Sequence, residues 1–156
     1  MPRSAPRPRR SARGAGARQR YASGSRWEPV VGYSRALRVG SHVYVSGTTA
    51  FGADGRIIGV DDPYAQTVQI LDNIERALTA LGSERAAIVR LRIFVTDLPR
   101  SGEVTRALGE RFPPIRPAMT LVGVPGLIEP EMLVEIDADA EDLPAPPSPR
   151  RRPSGS

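Results

Sequence analysis

A chain of 156 residues with 40% hydrophobic content is long enough for one domain with a real core and too short for two ordinary ones. With no cysteine and a single histidine, disulfides, thiolate nucleophiles and cysteine- or histidine-rich metal centres are excluded. No apolar run approaches the roughly 20 residues that a membrane helix requires, so a soluble, cytoplasmic protein is expected.

The formal charge of +5 is unevenly distributed. Residues 1–26 hold eight arginines and no acid, and residues 144–156 hold three more arginines. The other eleven basic residues face all 17 acids, which leaves the centre of the chain at about −6. Residues 1–26 have little to bury and are expected to form a disordered basic tail. Such a tail fits a non-specific clamp on nucleic-acid phosphates or an Arg-rich targeting peptide. It fits equally a solvated extension from a start site set too early in a GC-rich gene, an origin favoured by the absence of lysine.

From Val30 onward, short apolar runs alternate with turns. "SRALRVG" and "SHVYVSGT" read as two strands joined at Gly40-Ser41, with Val43 and Val45 on one face and His42, Tyr44 and Ser46 on the other. A turn at Asp54-Gly55 leads into a short third strand. His42, alone at a strand start, reads as a surface residue. A helix follows, capped by Asp61 or Asp62, with Pro63 in its first turn and Gly82 closing it. Its apolar stripe is Val68, Leu71, Ile74, Leu78 and Leu81. Val89, Leu91, Ile93 and Val95 alternate with Ile88, Arg90, Arg92 and Phe94 as in a half-buried strand. A second helix is expected over 102–111 behind Ser101 as cap, and Pro113-Pro114 then break the chain. Strands over 118–124 and 132–140 complete a domain spanning 27–143. The order predicts an α+β single domain with a mixed sheet and two helices packed on one face. Residues 144–156 read as a second disordered tail, rich in Pro and Arg.

Generic catalytic motifs are absent: no GxGxxG, P-loop lysine, nucleophile elbow or metal-ligand cluster. The carboxylate pairs Glu129/Glu131 and Asp137/Asp139 read as solvated strand edges. The phrases "GYSRALRVG", "VYVSGT", "AQTVQILDNI", "RIFVTDL", "RPAMTLVGV" and "LVEIDADA" together resemble the RidA family, also called YjgF/YER057c-type proteins, over about 110 residues.

The resemblance implies a chorismate-mutase-like protomer that forms a homotrimer, with small-molecule sites in the clefts between subunits. It also implies cofactor-independent hydrolysis of enamines and imines to 2-keto acids and ammonia. Carried onto this chain, Tyr33 matches the pocket tyrosine, Ser46 and Gly47 the "SG" phrase, and Phe94 the aromatic of "FVTD". Thr48 stands where a glutamine is common. Glu135 matches the water-positioning glutamate, and Leu121 a position whose backbone N–H helps hold substrate. Met119 stands where the family's carboxylate-binding arginine would be, and a thioether cannot bind a carboxylate. Arg116, three residues earlier, is turned away from it by strand alternation. Arg35, on the face of Tyr33, is the candidate replacement. Two readings follow: an imine deaminase whose substrate lacks a carboxylate or is gripped by Arg35, or a non-catalytic trimer that holds a small, more apolar ligand or a partner protein in the cleft.

Overall fold

The strand runs and the helical stripe come together as one six-stranded mixed sheet with its long helices on a single face. The computed structural model describes residues 17–143. Its strands are β1 (Arg18–Tyr21), β2 (Ala36–Val39), β3 (His42–Thr48), β4 (Ile88–Val95), β5 (Ala118–Gly123) and β6 (Val134–Glu141); its helices are α1 (Trp27–Val31), α2 (Pro63–Ala80) and α3 (Ser101–Arg111). The sheet order is β1-β2-β3-β6-β4-β5. Every pairing is antiparallel except β4 with β5, which are parallel and therefore need the crossover that α3 supplies. α2 packs on β3 and β6, and α3 packs on α2. The last strand lies between β3 and β4, so the C-terminal segment joins the two halves of the domain.

α2 starts as its sequence predicts. Asp62 accepts from Ala65 N at 2.9 Å, Pro63 occupies the first turn, and Gly82 has φ +73° just beyond the end. The stripe is rotated relative to the expected one: Ile70, Leu71, Ile74 and Leu78 are buried, while Val68 is only half-buried. Two polar residues take up the rest of the buried face. Thr67 Oγ1 donates to Pro63 O at 2.7 Å. Gln66, fully buried, donates to Gly59 O at 3.1 Å and Glu131 O at 2.7 Å and accepts from Leu133 N at 2.9 Å. A buried amide is tolerated when its partners are all present. Here those partners fix the loop that leads into β6.

Several elements differ from the sequence-based expectation. Residues 18–21 are not tail: they form β1, which pairs antiparallel with β2 from Arg18↔Val39 to Tyr21↔Ala36. Tyr21 packs on the core, and long-range pairing of this kind leaves no trace in local composition. The rest of the expected tails, 1–16 and 144–156, lies outside the described residues. The expected third strand reduces to an isolated bridge, Phe51↔Ile57. In β4, the register against β6 shifts between Ile88 and Arg90, so Ile88 is buried and Val89 exposed, against strict alternation. Ser101 is the first residue of α3, behind a 3-10 turn at Leu98–Arg100, and does not cap it. No helix among the described residues is long and apolar enough to cross a membrane.

Candidate functional site

Six of the nine sequence-derived site residues line one cleft of about 740 Å³: Tyr33, Arg35, Ser46, Gly47, Thr48 and Glu135. The cleft forms because β3 is irregular where it meets β6. Val45 pairs with Ala138 but Thr48 with Ile136, so Ser46 and Gly47 form a bulge in the ladder. The Gly47 carbonyl accepts from Arg35 Nη1, and that nitrogen also lies 3.3 Å from Thr48 Oγ1. Ser46 Oγ donates to Ser34 O at 2.8 Å and ties the bulge to the segment before β2.

Glu135 comes from β6, where Val134 and Ile136 are fully buried on the helix side and Glu135 alternates to the other face. Its carboxylate lies directly against Gly47: a Cβ at that position would overlap Oε1. The glycine leaves that space to the carboxylate, and an added Cβ would have to push the flexible end of Glu135 aside. Burial raises the Glu135 pKa above its ordinary value; Arg35 partly offsets this, and Asp137 adds to it.

Arg35 is the hub of the cleft. Its side chain is 13% exposed. Besides its contacts to the bulge, Nη2 donates to Tyr33 Oη at 2.5 Å, and Nε lies 3.8 Å from Glu28 Oε1. Glu28 is buried in α1 and accepts from Ser23 N and Oγ at 3.0 and 2.7 Å. At the rim, Arg26 donates to Glu129 Oε1 at 2.6 Å and lies over the Trp27 ring.

The other three residues lie elsewhere in the protomer. Phe94 is the cross-strand neighbour of Glu135 but does not line the cleft. Met119 and Leu121 pair with Leu91 and Ile93, whose side chains are buried on the helix side, and so lie on the face opposite Glu135. Met119, 42% exposed, lines a separate depression of about 410 Å³ with Leu108, Phe112 and Arg116. This corrects the expectation that Arg116 faces away from Met119. Arg116 precedes β5 and has φ +53°, so strand alternation does not govern it.

His42 is half-exposed, 3.6 Å from Glu141, and takes no part in the cleft. Asp137 and Asp139 bind Arg92 at 2.5 and 2.8 Å. Among the described residues, no group of three or more His, Asp or Glu side chains is placed to share a metal ion.

A family model described as Endoribonuclease L-PSP matches residues 23–142. The chain belongs to this family. Among solved structures, a Mycobacterium tuberculosis member of the YjgF/YER057c/UK114 family is 45% identical, with a TM-score of 0.74 over 81% of this chain and 100% of that one. A Yersinia pestis member of the Rid protein family is 29% identical, with a TM-score of 0.71 over 81% of this chain and all of that one. An uncharacterised protein of Streptomyces coelicolor is 36% identical over 122 residues, which is 78% of this chain and 90% of the relative.

In this L-PSP chain, the sequence reading missed Glu28 and the Arg26–Glu129 bridge. Neither carries a local signal. Glu28 stands between an arginine-rich run and the first expected strand, and only the folded backbone brings it to Arg35.

Proposed function

We propose that this L-PSP protein hydrolyses reactive imines and enamines to carbonyl compounds and ammonia, without a cofactor, as a homotrimer with its sites between neighbouring subunits. The observation that supports this most is Glu135, a partly buried carboxylate with a raised pKa held against a glycine in a cleft beside a tyrosine. A carboxylate in such a place takes a proton from water as the water attacks an imine carbon. Carbinolamine collapse then releases ammonia. The position of Met119 on the far face of its own protomer fits a site completed by a neighbour's β5.

The substrate this cleft suits lacks a carboxylate. Met119 has no charge, and most of the Arg35 donors are engaged within the protein. Among the described residues, the one arginine lining the cleft without a carboxylate partner is Arg76, which is exposed and donates to Asn73 Oδ1 at 3.0 Å. A substrate carboxylate desolvated beside Glu135 would therefore lack a buried, dedicated cation, a penalty of at least a few kcal/mol. The same two facts favour a second reading, a non-catalytic trimer that holds a small apolar ligand or a partner in the cleft. Ribonuclease activity, which the family description names, draws less support from this site: of its three arginines, 26 and 35 are engaged with carboxylates and backbone and 76 donates to Asn73, and His42 lies outside it.

The test is ammonia release from a panel of imines generated in situ by amine and amino-acid oxidases, with an RNA-cleavage assay alongside. Turnover above the uncatalysed rate, best on imines without a carboxylate, is expected. RNA cleavage with no imine turnover would overturn the proposal.

A further inference from the structure

We propose that Glu28 and Arg35 form a positioning pair that makes Tyr33 the proton donor of the cleft, an inference that rests on the imine-hydrolase reading above. A phenol has one proton to donate and oxygen lone pairs to accept with. The Tyr33 oxygen accepts from Arg35 Nη2 at 2.5 Å, so its own O–H is directed away from the guanidinium. Among the described residues no acceptor takes that proton, and Tyr33 lines the cleft together with Glu135.

The guanidinium itself is fixed from three sides: the Gly47 carbonyl, Thr48 Oγ1 at 3.3 Å, and Glu28 Oε1 at 3.8 Å. Glu28 is fixed in turn by the Ser23 backbone and hydroxyl. A planar fork held this way cannot swing toward a substrate carboxylate without breaking several of these bonds. This decides between the two roles open to Arg35: it orients Tyr33 and does not grip substrate.

The proton inventory closes with these groups alone. Water oxygen bonds to the imine carbon as its proton passes to Glu135, and the imine nitrogen takes the Tyr33 proton, giving a carbinolamine. Glu135 then protonates that nitrogen as the C–N bond breaks and ammonia leaves. The carbinolamine hydroxyl returns its proton to Tyr33 as the carbonyl forms, so both residues end as they began.

The experiment measures ammonia release by the full chain with two probes, 2-iminobutanoate and the imine of propylamine. It compares wild type with Tyr33→Phe, Arg35→Gln, the double variant of these two, and Glu28→Gln/Arg35→Gln, with a circular-dichroism melt of each. Tyr33→Phe and Arg35→Gln are each expected to lower kcat at least about tenfold, with KM near wild type for both probes. Compared on the plateau of each pH profile, where Glu135 is ionised with or without the Arg35 charge beside it, the Tyr33→Phe/Arg35→Gln double variant should be no slower than Tyr33→Phe alone, because Arg35 acts through the hydroxyl already removed.

If Arg35→Gln does not fold because Glu28 is left unpaired, Glu28→Gln/Arg35→Gln removes both charges, and adding Tyr33→Phe to it makes the same comparison. Losses that multiply in the double variant, or a KM rise confined to 2-iminobutanoate, would overturn the positioning role. A wild type that turns over neither probe overturns the imine reading itself and this inference with it.

Discussion

Gly47 and Glu135 show how one missing methyl group defines the site. Any side chain at 47 takes the space of the Glu135 carboxylate, yet the position is not helical and needs no glycine for its φ. Gly47→Ala is therefore expected to displace the carboxylate and lower imine turnover by roughly a hundredfold, the usual size of a lost acid–base contribution, while the melt stays cooperative. Unchanged turnover in an ammonia-release assay would show that Glu135 does not act from this position.

The raised pKa makes a second prediction. Between its ordinary value and its folded value, Glu135 binds more protons in the native state than in the unfolded one, so its contribution to stability falls as pH rises through that interval. Glu135→Gln should then be more stable than wild type at pH 7, with the difference shrinking as pH drops below the folded pKa. Denaturant titrations from pH 4 to 8 read this directly. A less stable variant at pH 7 would mean that attraction to Arg35 outweighs burial.

At the scale of elements, β1 and α1 belong to the cleft as much as to the fold. Tyr21, Ser23 and Arg26 contribute to its wall, and β1 covers the edge that β2 would otherwise expose. Deleting residues 1–16 is expected to leave the melting temperature within a degree or so. Deleting 1–26 removes the β1 pairing, the Ser23–Glu28 bonds and the Arg26–Glu129 bridge, and should lower it by about 5 °C or more. Equal melting temperatures for the two truncations would show that β1 adds nothing.

The same elements mark what the sequence could reveal. α2 was legible because its cap, proline and apolar period all lie within one window, and β6 because strict alternation runs from Val134 to Ala140. β1 was not, since four residues rich in arginine become a strand only when β2 is already in place. The departures at Val68, Val89 and Arg116 have similar origins: Gln66 satisfied by distant carbonyls, a bulge against β6, and a left-handed residue ahead of a strand. Of the residues that line the cleft, the resemblance to the RidA family pointed to Tyr33, Ser46, Gly47 and Glu135, and strand alternation to Arg35. Nothing local pointed to the bulge at Ser46–Gly47 or to the Glu28–Arg35 contact.

For the whole molecule, the unanswered face of the sheet matters most. The long helices cover one side only, and the other presents Tyr44, Phe94 and Val122 beside the Arg92–Asp137–Asp139 cluster. A trimer, with three times the 16.8 kDa protomer mass, is the assembly proposed to cover it, and it decides what Met119 does. Within one protomer Met119 and Glu135 lie on opposite faces, so an arginine at 119 can serve a Glu135 only across a subunit boundary.

Met119→Arg is expected to raise turnover of 2-iminobutanoate by on the order of a hundredfold, since each 1.4 kcal/mol of restored carboxylate binding in the transition state is about tenfold. Met119→Arg/Glu135→Gln should be inactive, having the clamp without the base. When this double variant is unfolded together with wild type and refolded, mixed trimers should regain part of the gain, because some clefts then combine the wild-type glutamate with a neighbour's new guanidinium. Refolding each protein alone controls for recovery, and sedimentation confirms the mass. If mixing adds nothing while Met119→Arg alone is active, each site is built within one chain, and β5 must move relative to the fold described above.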